Sequence, residues 1–176
     1  MDDQRDAQRL AAWRAYIESS QRLLTLLGDE LREHCGLSLA DYHVLLLLSE
    51  APGRRLRMGE LASRLVFSPS RLTYQVATMQ RRGLVERQSC PQDRRGSHAV
   101  LTAEGLNQLR VAAPVHLAAV RRVFLDHLDD ADIAQLGQVF GALDARLGGP
   151  SAGASGPDCG AEVTSIVSTT PARKRT

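Results

Sequence analysis

Nothing in the sequence approaches the roughly 20 consecutive apolar residues that a membrane-spanning helix needs, so no transmembrane segment is expected. The first ten residues, MDDQRDAQRL, are acidic and polar rather than a cationic leader before an apolar stretch, which points to a cytoplasmic protein. Cysteine is scarce. Cys35, Cys90 and Cys159 stand apart with no CxxC and no zinc-ligand spacing, so neither a disulfide framework nor a metal site is expected. Nucleophile elbow, paired-carboxylate site and phosphate-cradling loop are all missing, so an enzyme is not expected and no cofactor is implied.

What remains is a chain of 176 residues, the size of one ordinary domain with a real core. The net charge of +2 is uninformative, but its distribution is not. Residues 54–110 carry eleven arginines against four acidic residues, whereas residues 1–53 carry five against nine and residues 111–147 three against five. A basic middle between acidic flanks is the footprint of a polyanion-binding module on a separate scaffold, with an arginine-rich solvated surface as the bland alternative.

The spacing of Leu10, Trp13, Ile17, Leu24, Leu27 and Leu31 predicts a long amphipathic helix over 7–34, with Ser20 filling the gap in the stripe and Gly36 as its stop. A helix this long cannot bury its whole stripe against a small domain and is expected to pack on a partner chain. Ser38 caps a central helix running through Val44–Leu48 and ended by Ala51-Pro52-Gly53, with Asp41 in its first turn favoured by the macrodipole. Leu56-Arg57 forms a short strand, and Met58 to Leu65 a short helix with Met58, Leu61, Ala62 and Leu65 inward. After the turn at Val66-Phe67, Ser68 caps and Pro69 opens a second helix that stops at Gly83.

In that second helix Leu72, Val76 and Met79 make the buried face, while Ser70, Arg71, Tyr74, Gln75 and Thr78 make the opposite one. The latter is a set suited to base edges and phosphates, or simply a polar helix surface. Residues 84–88 and 97–101 read as two strands joined by an arginine-rich tip centred on Pro91–Gly96. At that tip Arg94 and Arg95 suit a minor groove, and Asp93 suits a bidentate pair that holds one of them. Thr102 then caps a helix expected over 103–128, with Pro114 interrupting its hydrogen bonding, and Asp129-Asp130 opens a last helix striped by Ile133, Leu136, Phe140, Leu143 and Leu147. The fold class is therefore mainly α with a small β element: a winged helix-turn-helix over 56–102 between long helices at 7–34 and 103–147. One domain over 1–147 precedes a small, polar tail at 148–176 that is expected to be disordered and whose basic end, Arg173-Lys174-Arg175, is a weak DNA contact or a spectator.

The pieces MGELASRL at 58–65, SPS at 68–70, RRGLVER at 81–87, DRR at 93–95 and LTAEG at 101–105, in that order and spacing, resemble the MarR family of bacterial transcription regulators. The resemblance follows the helix order over about 1–147 and is sharp over 56–105. It implies a homodimer whose first and last two helices interlock, a pseudo-palindromic operator in double-stranded DNA, the helix at 69–82 in the major groove and the wing in the minor groove. It makes Arg95 the minor-groove residue, with Arg94 on phosphate and Asp93 as the wing's support. The DNA-binding set is then Ser68, Ser70, Arg71, Thr73, Tyr74, Gln75, Thr78, Arg81, Arg94 and Arg95. Tyr74 stands where the family often has arginine, so a guanine contact is lost or moved to Arg71, and no known operator transfers.

The same resemblance implies repression relieved by a small aromatic or anionic effector between the long helices and the reader. Trp13, Tyr16, His43, Leu47 and His116 combine an apolar lining with a few polar groups, as such sites do, although the same residues serve equally as core and surface. Two alternatives stay open. One is a redox-responsive regulator acting through Cys35 or through Cys90, which lies near Arg87 and Arg94. The other is a protein-interaction module of the same fold that binds no DNA, against which the wing arginines argue.

Overall fold

The computed structural model describes residues 2–90 and 93–148, with Asp2, Cys90 and residues 93–95 in backbone only. Six helices and a three-stranded sheet follow one another as α1 (Asp2–Cys35), α2 (Leu39–Glu50), β1 (Arg55–Arg57), α3 (Met58–Arg64), α4 (Pro69–Arg81), β2 (Val85–Cys90), β3 (Asp93–Leu101), α5 (Ala103–Val123) and α6 (Asp130–Arg146). A single 3₁₀ turn precedes β1 and another separates α5 from α6.

Local chemistry sets most boundaries. The Ser38 hydroxyl accepts the Asp41 N–H while the Asp41 carboxylate accepts the Ser38 N–H, a capping box that satisfies two orphan donors of α2 at once. Ser68 accepts from Arg71 N–H at the start of α4, with Pro69 in the first turn where its missing N–H costs nothing. Gly36 and Gly83, at φ 63° and 72°, close α1 and α4 in the left-handed region where a Cβ is disfavoured. Asp129 and Asp132 form a second capping box at α6.

Helix α2 is the hub. It packs on α1, α4, α5, β1 and β3, and its Tyr42, Val44, Leu45 and Leu48 are buried with Leu61 of α3, Leu72, Val76 and Met79 of α4, Leu84, Val85, Ala99, Leu101 and, from α5, Leu109, Ala112 and Ala113. The sheet order is β1-β3-β2, antiparallel throughout, with Leu56 facing Ala99 and Arg57 facing His98. Helix α1 lies along α5 and buries only Leu27 and Leu31 of its apolar stripe, while Leu10, Trp13 and Leu24 stay exposed. Among the described residues α6 buries none of its own, and Ile133, Phe140, Leu143 and Leu147 all face outward.

Three expectations need correction. Helix α1 begins at Asp2 rather than near residue 7: Asp3 and Asp6 suit the N-terminal end of the macrodipole, and Gln4, Arg5 and Ala7 are good helix formers without an apolar stripe. Helix α5 ends at Val123, not 128. Phe124 continues the apolar spacing but leaves the helix at φ −136°, and the chain tightens into a 3₁₀ turn so that Asp129 can cap α6. Pro114, expected to kink the helix or remove a hydrogen bond, lies inside α5, which continues through it. The wing strands also run further than 84–88 and 97–101. Cys90 pairs with Asp93, Ser89 with Ser97, and the three residues 94–96 form a bulge on β3 between those pairs. The expected tip loop is thus largely strand. The tail expected to be disordered lies, from residue 149 on, outside the described residues.

Candidate nucleic-acid interface

Helix α4 turns one polar face to solvent beside the wing. Ser68, Ser70, Arg71, Thr73, Tyr74 and Arg81 are exposed, and the Tyr74 ring, 72% exposed, is the largest unburied group on the helix. Several of these side chains are held in place. The Arg71 guanidinium lies 3.9 Å over the Phe67 ring, a cation–π contact that fixes the arginine at the first turn of α4. Ser70 Oγ sits 3.2 Å from Ser68 Oγ, and the Thr73 hydroxyl donates to the Pro69 carbonyl at 2.8 Å. Arg81 Nη2 donates to the Thr78 hydroxyl at 3.0 Å, which steers the guanidinium back along the helix.

Positive charge surrounds this face. Arg54 and Arg55 are exposed just before α3, and Arg87 on β2 donates to the Ser97 hydroxyl at 3.1 Å. Arg64 is drawn to Glu60 at 2.9 Å, so it adds less. The wing arginines Arg94 and Arg95, and Asp93 expected to support them, have side chains outside the described residues.

Gln75 departs from its expected place on the open face. It is half-buried, and its Nε2 donates to Asp41 Oδ1 at 2.6 Å. Thr78 is likewise half-buried. The reason is geometric: both lie at the flank of α4 that turns toward α2, not at the centre of the face. Two residues outside the expected set matter here. Asp41 was legible only as a first-turn acid of α2, and Arg82, just past α4, donates to Asp41 Oδ2 at 3.1 Å and to the Gly36 carbonyl at 2.8 Å. No local pattern could have announced contacts across 34 to 46 positions of sequence.

The five expected ligand residues are not brought together. Tyr16 lines an apolar groove of about 550 Å³ with Ser19, Ser20, Leu23, Leu24, Val123, Phe124, Leu136 and Phe140, and its ring lies 5.6 Å from that of Phe140. Trp13 is exposed beside it, ring to ring at 6.0 Å from Tyr16. His43 and His116 instead flank Tyr42, with centroids 5.9 and 4.5 Å away, and Leu47 packs on the core. None of these last three lines the groove. Burial pushes the His43 imidazole below its ordinary value, and burial together with the nearby His43 charge pushes that of His116 down to about 4. The His116 Nδ1 is enclosed with no hydrogen-bond partner among the described residues.

Cys35 is half-buried, and burial raises its thiol above the ordinary range, away from the reactive thiolate. The Cys90 side chain lies outside the described residues. Among the described residues no three His, Cys, Asp or Glu side chains gather as a metal site, and no helix is long and apolar enough to cross a membrane.

Comparison with known proteins places this architecture among relatives. A family model described as the MarR family matches residues 36–96. The chain is similar to Sco3205 from Streptomyces coelicolor, a MarR family transcriptional regulator solved in complex with DNA: 39% identity, TM-score 0.76, covering 78% of this chain and 86% of that one. It is similar to CouR from Rhodococcus jostii RHA1, solved bound to p-coumaroyl-CoA, at 26% identity and TM-score 0.62 over 72% of this chain and 86% of that one. It is 32% identical over 111 residues, 61% of its own length, to the HTH-type transcriptional repressor YetL of Bacillus subtilis, of whose length the match spans 66%.

Proposed function

The chain belongs to the MarR family of transcriptional regulators, a family of regulators rather than enzymes, and from that premise we propose that it is a homodimeric repressor that binds a pseudo-palindromic operator. The observation that carries the DNA-binding part is the solvent-facing set on α4, Ser68, Ser70, Arg71, Thr73 and Tyr74, anchored at its capped first turn beside an arginine-bearing hairpin. A helix end so presented suits the major groove, with Arg71 reaching bases or phosphate. In this reading Arg95 enters the minor groove, Arg94 takes phosphate and Asp93 supports the wing. Sco3205, its relative, is found with DNA, and YetL, another, is named a repressor.

The dimer rests on the apolar stripe of α6 and on Leu10, Trp13 and Leu24 of α1, which stay exposed within the described residues of the chain. A second copy interlocking residues 2–35 and 103–147 would bury them and hold two readers about one helical turn of DNA apart. The domain then spans 1–147 and works in the cytoplasm. An effector with an aromatic ring fits the groove at Tyr16 and Phe140, whose volume lies in the ligand-site range, with Ser19 and Ser20 as polar points. CouR, bound to p-coumaroyl-CoA, sets a precedent for an aromatic acyl ligand in the family. The cysteine-based alternative gains nothing from Cys35, whose thiol is stabilised in its protonated form.

The test is binding to duplexes from upstream of its own gene, followed by mobility shift or anisotropy over a range of salt. Specific binding should weaken steeply as salt rises, and Arg95→Ala should weaken binding on all sequences and reduce the log–log salt slope by about 1. Arg71→Ala should change sequence preference instead. Salt-insensitive binding, or an Arg95→Ala protein that binds as wild type does, would count against the reading.

A further inference from the structure

We propose that Asp41, which lies outside the exposed face of α4, sets base preference by holding the Gln75 amide in one orientation. The inference rests on the DNA-reading role of α4 and deepens it. Asp41 is 4% exposed, the one charged side chain buried among the described residues. Its Oδ2 accepts the Ser38 N–H at 2.9 Å and Arg82 Nη1 at 3.1 Å, and its Oδ1 accepts Gln75 Nε2 at 2.6 Å. A carboxylate only accepts, so the nitrogen end of the Gln75 amide must face it. The carbonyl oxygen is then the end left for a partner beyond the protein.

This orientation has a chemical consequence. A free glutamine reads adenine with both ends of its amide, donating to N7 and accepting from N6. With one Nε2 hydrogen given to Asp41, the amide cannot turn over: its carbonyl oxygen is the end that faces outward, and the second Nε2 hydrogen stays on the Asp41 side of the amide. The outward acceptor suits the exocyclic amino groups of adenine and cytosine. It does not suit guanine or thymine, whose major-groove edges present acceptors. Asp41 is thus a positioning residue, and Arg82, which also grips the Gly36 carbonyl, keeps the carboxylate and the end of α4 in register.

Asp41→Asn makes the idea testable with almost no change in shape. Ser38 N–H and Arg82 both need an acceptor, so the oxygen of the introduced amide should stay with them and its nitrogen should face Gln75. The Gln75 amide then turns over and offers its NH₂ group outward. Selection from a duplex library randomised across the bound site should be run on wild type, Asp41→Asn, Gln75→Ala and the double variant, with circular dichroism to check folding. Wild type should favour adenine or cytosine at one base pair per half-site, and Gln75→Ala should erase that preference. Asp41→Asn should shift it toward guanine or thymine by about tenfold, and the double variant should match Gln75→Ala. An unchanged profile for folded Asp41→Asn, or the same shift in the absence of Gln75, overturns the proposal. If Asp41→Asn does not fold, Gln75→Ala decides with base analogues placed on one strand at a time. Purine for the preferred adenine, or 2-pyrimidinone for the preferred cytosine, removes the exocyclic amino group and should weaken wild type but not Gln75→Ala. The absence of such a Gln75-dependent loss on either strand overturns the proposal. Failure of wild type to select any sequence is a different result and overturns the DNA-reading role itself.

Discussion

Gly105→Ala should damage this protein out of proportion to the single methyl it adds. Gly105 sits in the first turn of α5, where the helix passes against Leu84, the residue before β2. A Cβ built there would lie 2.0 Å from the Leu84 carbonyl oxygen, 2.8 Å from Leu101 Cδ1 and 3.0 Å from the Leu84 carbonyl carbon. The leucine side chain can yield, but the Leu84 backbone cannot. Carbon and oxygen approach to about 3.3 Å in favourable contact, so the start of α5 would have to retreat by about 1.3 Å from the 2.0 Å position. That movement pulls on Thr102, whose hydroxyl reaches the carbonyls of Gly83 at 2.7 Å and Leu84 at 3.0 Å, accepts Gly105 N–H at 2.9 Å, and whose own N–H bonds Leu84 O at 3.3 Å.

Overpacking costs about 1–3 kcal/mol. Weakening the Thr102 cap costs about 1 kcal/mol, and each backbone or hydroxyl bond lost costs about another 1. Alanine returns about 1 kcal/mol of helix propensity. The net expectation is a loss of about 2–4 kcal/mol, or about 5–15 °C in Tm for a chain of this size. Urea unfolding followed by far-UV circular dichroism at one fixed protein concentration measures it. Gly59→Ala is the control, because nothing lies within 4 Å of a Cβ there, and it should stay within about 1 kcal/mol of wild type. If Gly105→Ala unfolds at the same midpoint as Gly59→Ala, the close approach of α5 to the Leu84 backbone is not what fixes glycine at 105.

Two further outcomes are expected. Val66 sits in the helix-turn-helix turn at φ 53° and is 90% exposed, so Val66→Asn should relieve left-handed strain while losing no packing. It should stabilise by about 1 kcal/mol, a rise of about 2–4 °C in Tm, and a fall would show that Val66 makes contacts not expected of so exposed a residue. His116 takes its proton near 6.5 when unfolded but near 4 when folded. Its contribution is therefore complete above pH 6.5 and is lost as pH falls toward 4. His116→Phe should make stability less dependent on pH across that window, read as the difference between urea midpoints at pH 7 and 4.5, and equal dependence in both proteins would contradict the assignment.

The features legible in sequence were those made by neighbours. Ser38, Ser68 with Pro69, Thr102 and Asp129 mark helix starts because a cap and the N–H it satisfies lie within three residues. The buried Leu72, Val76 and Met79 follow from helical period alone. Errors appeared where distant contacts decide. Phe124 keeps the apolar rhythm, yet α5 stops before it because the chain must turn back into α6. Gln75 reads as part of the open face of α4, but Asp41, 34 positions away, holds its amide at the flank toward α2. His43 and Tyr16 both looked like pocket residues, and the packing of α1, α2 and α5 assigns them to different places.

Among the described residues the reader is joined to its helical frame at two polar points, and they lie on different elements. Arg82 and Asp41 fasten α4 to the corner between α1 and α2, while Thr102 fastens the base of the wing to the start of α5. Apolar packing is non-directional and tolerates sliding, whereas hydrogen bonds lose strength steeply with angle. The two joints therefore define how α4 and the wing are pitched relative to the long helices. The groove at Tyr16 and Phe140 touches the far end of α5 through Val123 and Phe124 and touches α1 through Leu23 and Leu24. An occupant that parted α1 from α5 would move both joints in different directions, because one hangs from each helix. For the proposed effector-released repressor, release would then require no contact between ligand and reader, only a change in the separation of two helices that already carry the α4 joint and the wing joint.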